Sequence, residues 1–284
     1  MNKIHTPLRW AGGKRWLAPF IRPIWNKYSN HRFVEPFCGG LGLTFELLPE
    51  KALLNDINTQ LINFLRWLKT GLIIEDNFEF SSDAYYRNRK RFNELISDHK
   101  NHSKEAAFLF YYLNKTCFNG LCRFNRYGEF NVPYGGIAYN RKDFLRKVNA
   151  LQSPEMQEHM SRTELFNLDF EQFLNLTAPL AEDFIFLDPP YDSDFSTYAQ
   201  NTFQRSDQER LAQYLQKCPA YFMLVIKATP FIVNLYQGKG LNILTFDKRY
   251  LVSFMNRNDK NAEHLLITNY PVTVQDGGQN GKNN

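Results

Sequence analysis

Seven short apolar runs punctuate the chain, each bounded by residues that favour turns: Arg32–Glu35, Ala52–Asn55, Glu164–Leu168, Phe184–Leu187, Phe222–Ile226, Asn242–Phe246 and Leu265–Asn269. Runs of this length and composition predict buried strands. Several alternate with helical patterns. The best marked is Asp207–Lys217, where Ser206 followed three residues later by Glu209 predicts a capping box. Strands alternating with helices predict an α/β fold, a mostly parallel sheet with helices on both faces.

From about residue 60 to 160 that rhythm breaks. The stretch is rich in Tyr, Asn and Arg, reads as mainly helical to Asn114, and then predicts a hairpin from Phe124 to Val132 turning at Tyr127-Gly128. It reads as an insertion into the α/β domain. The last ten residues, Gln275–Asn284, are too polar to pack and are expected to be disordered.

Composition keeps this picture and narrows the setting. With 43% hydrophobic and 22% charged residues the chain has an ordinary globular balance. No apolar run approaches the ~20 residues that cross a bilayer, and MNKIHTPLRW has no signal-peptide stretch. The cysteines Cys38, Cys117, Cys122 and Cys218 lack zinc-like spacing, so reduced thiols, a cytoplasmic setting and no metal are expected. The net charge of +5 is unevenly spread. Residues 1–32 hold seven basic groups and no acidic one, and 115–147 hold seven against two. Two basic segments on a balanced chain point to a polyanionic partner, although a solvated basic face would read the same way.

Three motifs carry chemistry. In Phe33-Val-Glu-Pro-Phe-Cys-Gly-Gly-Leu-Gly-Leu43 a strand runs into a glycine turn and a helix, which lets a ligand approach the backbone. A tight turn with no ligand would look identical. Asp56 closes the next strand, where nucleotide-binding sheets grip ribose hydroxyls, or where an acid merely caps a turn. The third motif, Asp188-Pro189-Pro190-Tyr191, follows directly on Phe184–Leu187. Two prolines fix the backbone and remove two donors, so nearby carbonyls are free to accept. Asp188 adds an acceptor and Tyr191 a flat face. Together they suit an exocyclic amine on a planar ring.

These motifs, with Leu8–Lys14, Leu54–Asp56, Asn119–Asn125, Gly128–Gly135, Leu168–Phe170 and Leu265–Asn269, resemble the Dam-type adenine-N6 DNA methyltransferases, the DpnII-system methylases most of all. The resemblance spans nearly the whole chain. It implies a mostly parallel seven-stranded sheet of the S-adenosylmethionine-dependent methyltransferase type, formed by residues 1–60 and 161–274, with a mainly helical DNA-recognition insertion at 61–160. It implies S-adenosylmethionine as cofactor, bound by Trp10, Lys14, Glu35, Pro36, Phe37, Gly39, Gly40, Asp56, Asp169 and Phe170. Asp188, Pro189, Pro190 and Tyr191 would form the catalytic turn, with Asp188 between cofactor and target amine. The expected partner is double-stranded DNA, read as GATC by Arg9, Asn119, Leu121, Arg123, Pro133 and Tyr134. Tyr85–Arg91 would touch phosphates. A cognate restriction endonuclease belongs to such a system, with no stable protein partner required. The chain departs from the pattern at Ile226–Pro230, which is given no role.

Among other classes, a dinucleotide dehydrogenase is disfavoured because the turn lacks G-x-G-x-x-G spacing. An RNA or protein-amide methyltransferase leaves the 119–135 match unexplained, and a non-catalytic DNA-binding module leaves Asp188–Tyr191 unexplained.

Overall fold

A computed structural model of the protein describes residues 6–27, 31–74, 79–136, 144–191, 203–247 and 263–272. Each apolar run forms a strand: β1 Phe33–Glu35, β2 Ala52–Asn55, β3 Thr163–Phe166, β4 Phe184–Leu187, β5 Tyr221–Lys227, β6 Asn242–Asp247 and β7 Glu263–Thr268. They make one sheet in the order β3-β2-β1-β4-β5-β7-β6. The first five are parallel, while β7 inserts antiparallel between β5 and β6. β3 stops two residues earlier than the apolar run, because the Leu168 N–H donates instead to Asn55 Oδ1 at 2.9 Å. The tail Gln275–Asn284 lies outside the described residues.

Alternation along each strand builds two cores. Phe33, Phe184, Phe186, Met223 and Val225 pack on one face with α1 (Ala18–Trp25), Leu43 and Leu47. Val34, Ile185, Leu187, Phe222 and Leu224 pack on the other. That second face is covered by residues of α8 (Phe170–Thr177), α9 (Arg205–Lys217) and α10 (Pro230–Tyr236). A short helix, α2 (Thr44–Leu47), follows the glycine turn.

Between β2 and β3 the chain leaves the sheet for α3 (Thr59–Lys69), α4 (Ser82–Ser97), α5 (Lys104–Thr116), α6 (Phe144–Leu151) and α7 (Pro154–Ser161). α5 packs on both α3 and α4. Their aromatic faces form a third core around Phe64, Phe92, Phe110, Tyr111 and Tyr112. Asn58, Ser81 and Ser103 cap α3, α4 and α5 by accepting backbone N–H groups. The expected hairpin is held by one antiparallel bridge, Phe124 to Phe130, and Gly128 turns at φ 81°.

One local expectation changes, and one segment gains a structural account. The capping box of α9 uses Gln204 and Asp207, not Ser206 and Glu209, because the helix begins at Arg205 and takes Ser206 into its first turn. The Ile226–Pro230 segment ends β5 and starts α10: Thr229 Oγ1 accepts the Ile232 N–H, and Pro230 follows where no N–H is needed.

Candidate active site

The strand order reverses between β1 and β4, and in open α/β sheets such a switch point opens a crevice at the carboxyl edge. All three motifs lie there. The glycine turn leaves β1, Asp56 leaves β2, Asp169 follows β3 and Asp188 leaves β4. Asn55 ties three of these loops together. Its Nδ2 donates to Pro36 O and Leu168 O, both at 3.0 Å, and its carbonyl oxygen accepts from Leu168.

Lys14 and Asp188, 174 residues apart, form a salt bridge at 2.6 Å. The lysine is buried, and it also donates to Gly12 O at 2.7 Å. Its ammonium lies 5.2 Å from the centre of the Tyr191 ring, which packs edge-on against His264 at 5.6 Å. Gln208 of α9 donates to Pro190 O at 2.9 Å and so anchors the double-proline turn.

Carboxylates outnumber cations here. Glu35 is buried, and burial lifts its carboxyl to about 8. The Thr44 hydroxyl, which donates to it, works against that rise, while the charges of Asp188 and Asp56 add to it. Burial likewise raises Asp56 to about 6, against the N–H groups of Asn58 and Gly39, which it accepts at 2.8 and 3.0 Å. Asp56 therefore pins the glycine turn to the end of β2, a structural duty compatible with ligand contact.

The glycines have a second explanation besides ligand access. A Cβ on Gly39 would lie 2.7 Å from Trp10 Nε1, and one on Gly40 would lie 2.5 Å from Trp10 Cβ. Trp10 covers the turn, so only glycine fits beneath it. Phe170 is buried, with Phe37 and Phe203 ring contacts at 5.5 and 5.7 Å. Any contact it makes with a ligand falls to its backbone.

Segment 8–14 forms a strap that runs from Trp10 on the glycine turn to candidate base-reading residues around Arg9. Asn114 clasps Arg9 through its N–H at 2.9 Å and its C=O at 2.8 Å, and donates to Gly120 O at 3.2 Å. Segment 117–121 runs beside 132–135 through Phe118 N to Pro133 O and Gly135 N to Thr116 O, both 2.9 Å. Arg9, Asn119, Leu121, Pro133 and Tyr134 thus share one locality. Asn119 takes a left-handed φ of 55°. Tyr134 is anchored by its hydroxyl to Phe80 O at 3.0 Å. Arg123 is exposed on the hairpin, its Nε braced on Asn131 Oδ1 at 2.8 Å.

The Tyr85–Arg91 run is tied into the protein. Tyr85 is buried and donates to Val132 O, Arg89 donates to the same carbonyl, Arg87 pairs with Glu79, and Arg91 forks onto Glu105. Sequence reasoning also passed over Asn55, Thr44, Gln208 and Arg210. Of these only Asn55 had a signal, its place inside Leu54-Asn-Asp56.

Strand order and the chemistry at this edge define an α/β protein of the methyltransferase class. The model of the D12 class of N6 adenine-specific DNA methyltransferases matches residues 10–252. The chain belongs to that family. It is 32% identical to the type II methyltransferase M.CviBI of Paramecium bursaria Chlorella virus NC1A, over 93% of this chain and 98% of the relative. It is 30% identical to M1.LlaDCHI of Lactococcus lactis subsp. cremoris, over 95% and 97%. A DNA adenine methylase of Vibrio cholerae is 31% identical, over 94% and 98%. The protein is therefore an adenine-specific DNA methyltransferase, and its chemistry requires a methyl donor. Among the described residues no helix is long and apolar enough to cross a membrane.

Proposed function

We propose that this enzyme moves the methyl group of S-adenosylmethionine to the exocyclic nitrogen of an adenine in duplex GATC, as the modification activity of a type II restriction system. The observation that carries the reading is the part-buried Lys14–Asp188 pair beside Tyr191 at the switch point. The restriction context draws on the names of the relatives from the Chlorella virus and Lactococcus. A DNA substrate and reduced thiols make the cytoplasm the compartment that fits.

The donor set suits that cofactor. With Glu35 holding a proton, Asp56 and Asp188 set two charges against one lysine, a balance matched by a ligand of net positive charge. Trp10, Lys14, Glu35, Pro36, Phe37, Gly39, Gly40 and Asp56 would hold it, with Asp169 and the Phe170 backbone at its base. When bound, it supplies a methyl group already attached to a good leaving group.

The protein then has to present the amine. Turning adenine out of the stack costs a few kcal/mol, offset by stacking on Tyr191 and by contacts from the insertion. Asp188 accepts an N–H of the target amine, with Pro189 O as the second acceptor. Lys14 fixes the position of the Asp188 carboxylate through their 2.6 Å contact. Catalysis is then mainly orientation and preorganised charge. Residues 61–160 would read the site, with Arg123 and Arg9 on guanines and Asn119, Leu121, Pro133 and Tyr134 around the displaced base.

The test counts tritium transferred from labelled cofactor to a library of duplexes varying GATC. Wild type should label GATC alone, and Asp188→Ala should lose at least about a hundredfold in turnover while keeping its fold. Activity within a few-fold of wild type would remove Asp188 from the reacting amine, and labelling that ignored GATC would end the specificity reading.

A further inference from the structure

Arg210, on α9, closes around the acid that follows β3. Its Nη1 and Nη2 donate to Asp169 Oδ1 and Oδ2 at 3.1 and 3.0 Å. The same guanidinium reaches Glu171 Oε2 at 2.7 Å and Asp207 Oδ1 at 2.9 Å. Its central carbon stands 4.7 Å from the centre of the Phe170 ring. One cation therefore organises three acids and lies against the Phe170 ring.

A two-pronged guanidinium–carboxylate contact fixes the plane of the carboxylate as well as its charge. Asp169 Oδ1 also accepts the Glu171 N–H at 3.0 Å, capping α8. Among the described residues the hydrogen bond on Oδ2 comes from Arg210 Nη2 at 3.0 Å, and the Gln172 N–H also favours the charged carboxylate. Each carboxylate oxygen offers two acceptor sites, so Oδ2 keeps one for an outside donor. The side chain is 35% exposed, enough for a ligand to reach it. Burial would raise the Asp169 carboxyl, but Arg210 and the helix N–H groups outweigh it and hold it below the usual range.

We propose that Arg210 is a positioning residue for the methyl donor, holding Asp169 as a planar, ionised acceptor for the exocyclic amine of the donor's adenine. This rests on the reading that the cofactor base lies against Asp169 and Phe170. It goes beyond that reading by giving the recognition of the amine to a side chain 41 residues away. The consequence is sharp: Arg210 acts through the amine, so its contribution vanishes when the amine is absent.

Calorimetry on the full chain measures binding of S-adenosylhomocysteine and of S-inosylhomocysteine, in which a carbonyl replaces the amine. Wild type should prefer the adenosyl compound by about tenfold or more, the worth of one charged hydrogen bond. Arg210→Met should lose about tenfold for the adenosyl ligand and under about twofold for the inosyl one. Arg210→Lys, which keeps the charge but not the fork, should shift the preference in the same direction. In turnover the donor KM should rise while kcat at saturating donor stays within about twofold. Circular dichroism checks the fold, and should Arg210→Met fail that check, the preference measured for Arg210→Lys decides. A wild type indifferent to the amine overturns the placement of the cofactor base at Asp169. A discriminating wild type whose Arg210 variants lose equally for both ligands overturns the positioning role alone.

Discussion

Replacing Glu35 by glutamine should remove one falling contribution to stability as pH rises from about 6 to 8. Burial raises this carboxyl from 4.5 to about 8 in the folded chain. Between those values the native state holds a proton that the unfolded chain has released, so stability falls as pH rises and the loss is complete near pH 8. Asp56 contributes with the same sign, but its raised value of about 6 ends its contribution there. The window from 6 to 8 therefore isolates Glu35. At about 1.4 kcal/mol for each tenfold change in proton affinity, the loss across it is roughly 2–3 kcal/mol. Glutamine has the same shape, keeps an oxygen for the Thr44 hydroxyl, and cannot ionise. His159, lowered to about 4, and Lys115, lowered to about 7, are common to both proteins and cancel in the difference. Urea unfolding at half-unit pH steps, extrapolated to water, gives the two stability curves. Curves that run parallel from pH 6 to 8 would refute the buried, protonated Glu35.

Three other outcomes are expected. Tyr191→Ala should lower turnover well beyond Tyr191→Phe, since stacking needs the ring and not the hydroxyl; equal losses in single-turnover assays would contradict that role. Gly40→Ala should cost about 1–3 kcal/mol, because its Cβ would sit 2.5 Å from Trp10 Cβ, an atom that cannot swing away. An unchanged melting temperature would show that the strap does not press on the turn. Arg123→Ala should relax discrimination at one guanine by about 1–3 kcal/mol, whereas a uniform loss across all duplexes, with a shallower salt dependence, would mark a phosphate contact.

The strands and the motif loops were legible because their signals are local. An apolar run between turn residues reads as a buried strand wherever it falls, and Asp188-Pro-Pro-Tyr191 carries its chemistry within four positions. Pairing was less legible. Nothing in Glu263–Thr268 says that it lies antiparallel between β5 and β6, because burial on both faces leaves the neighbour unspecified. The missed residues share a physical reason. Gln208 and Arg210 lie on a helix whose sequence reads as polar surface, and their partners, Pro190 and Asp169, lie 18 and 41 residues away. The Tyr85–Arg91 run shows the opposite limit of a local signal. Its charge density matches a phosphate-binding face, yet most of its groups are spent on Glu79, Glu105 and Val132 O.

The segment from Leu8 to Lys14 shows why a site of this kind cannot be read one motif at a time. Leu8 is buried in the core shared with α3–α5, the Arg9 backbone is clasped by Asn114, Trp10 lies on Gly39 and Gly40, and Lys14 ends on Asp188. The five peptide steps from Arg9 to Lys14 can span at most about 18 Å of extended chain. The glycine turn, Asp188 and the 117–121 segment are therefore held on one short tether. Arg9 could be read as a basic residue and Lys14 as another. Their effect depends on the strap between them, whose partners at Asn114, Gly39–Gly40 and Asp188 are 105, 29 to 30 and 174 residues away from Arg9, Trp10 and Lys14 respectively.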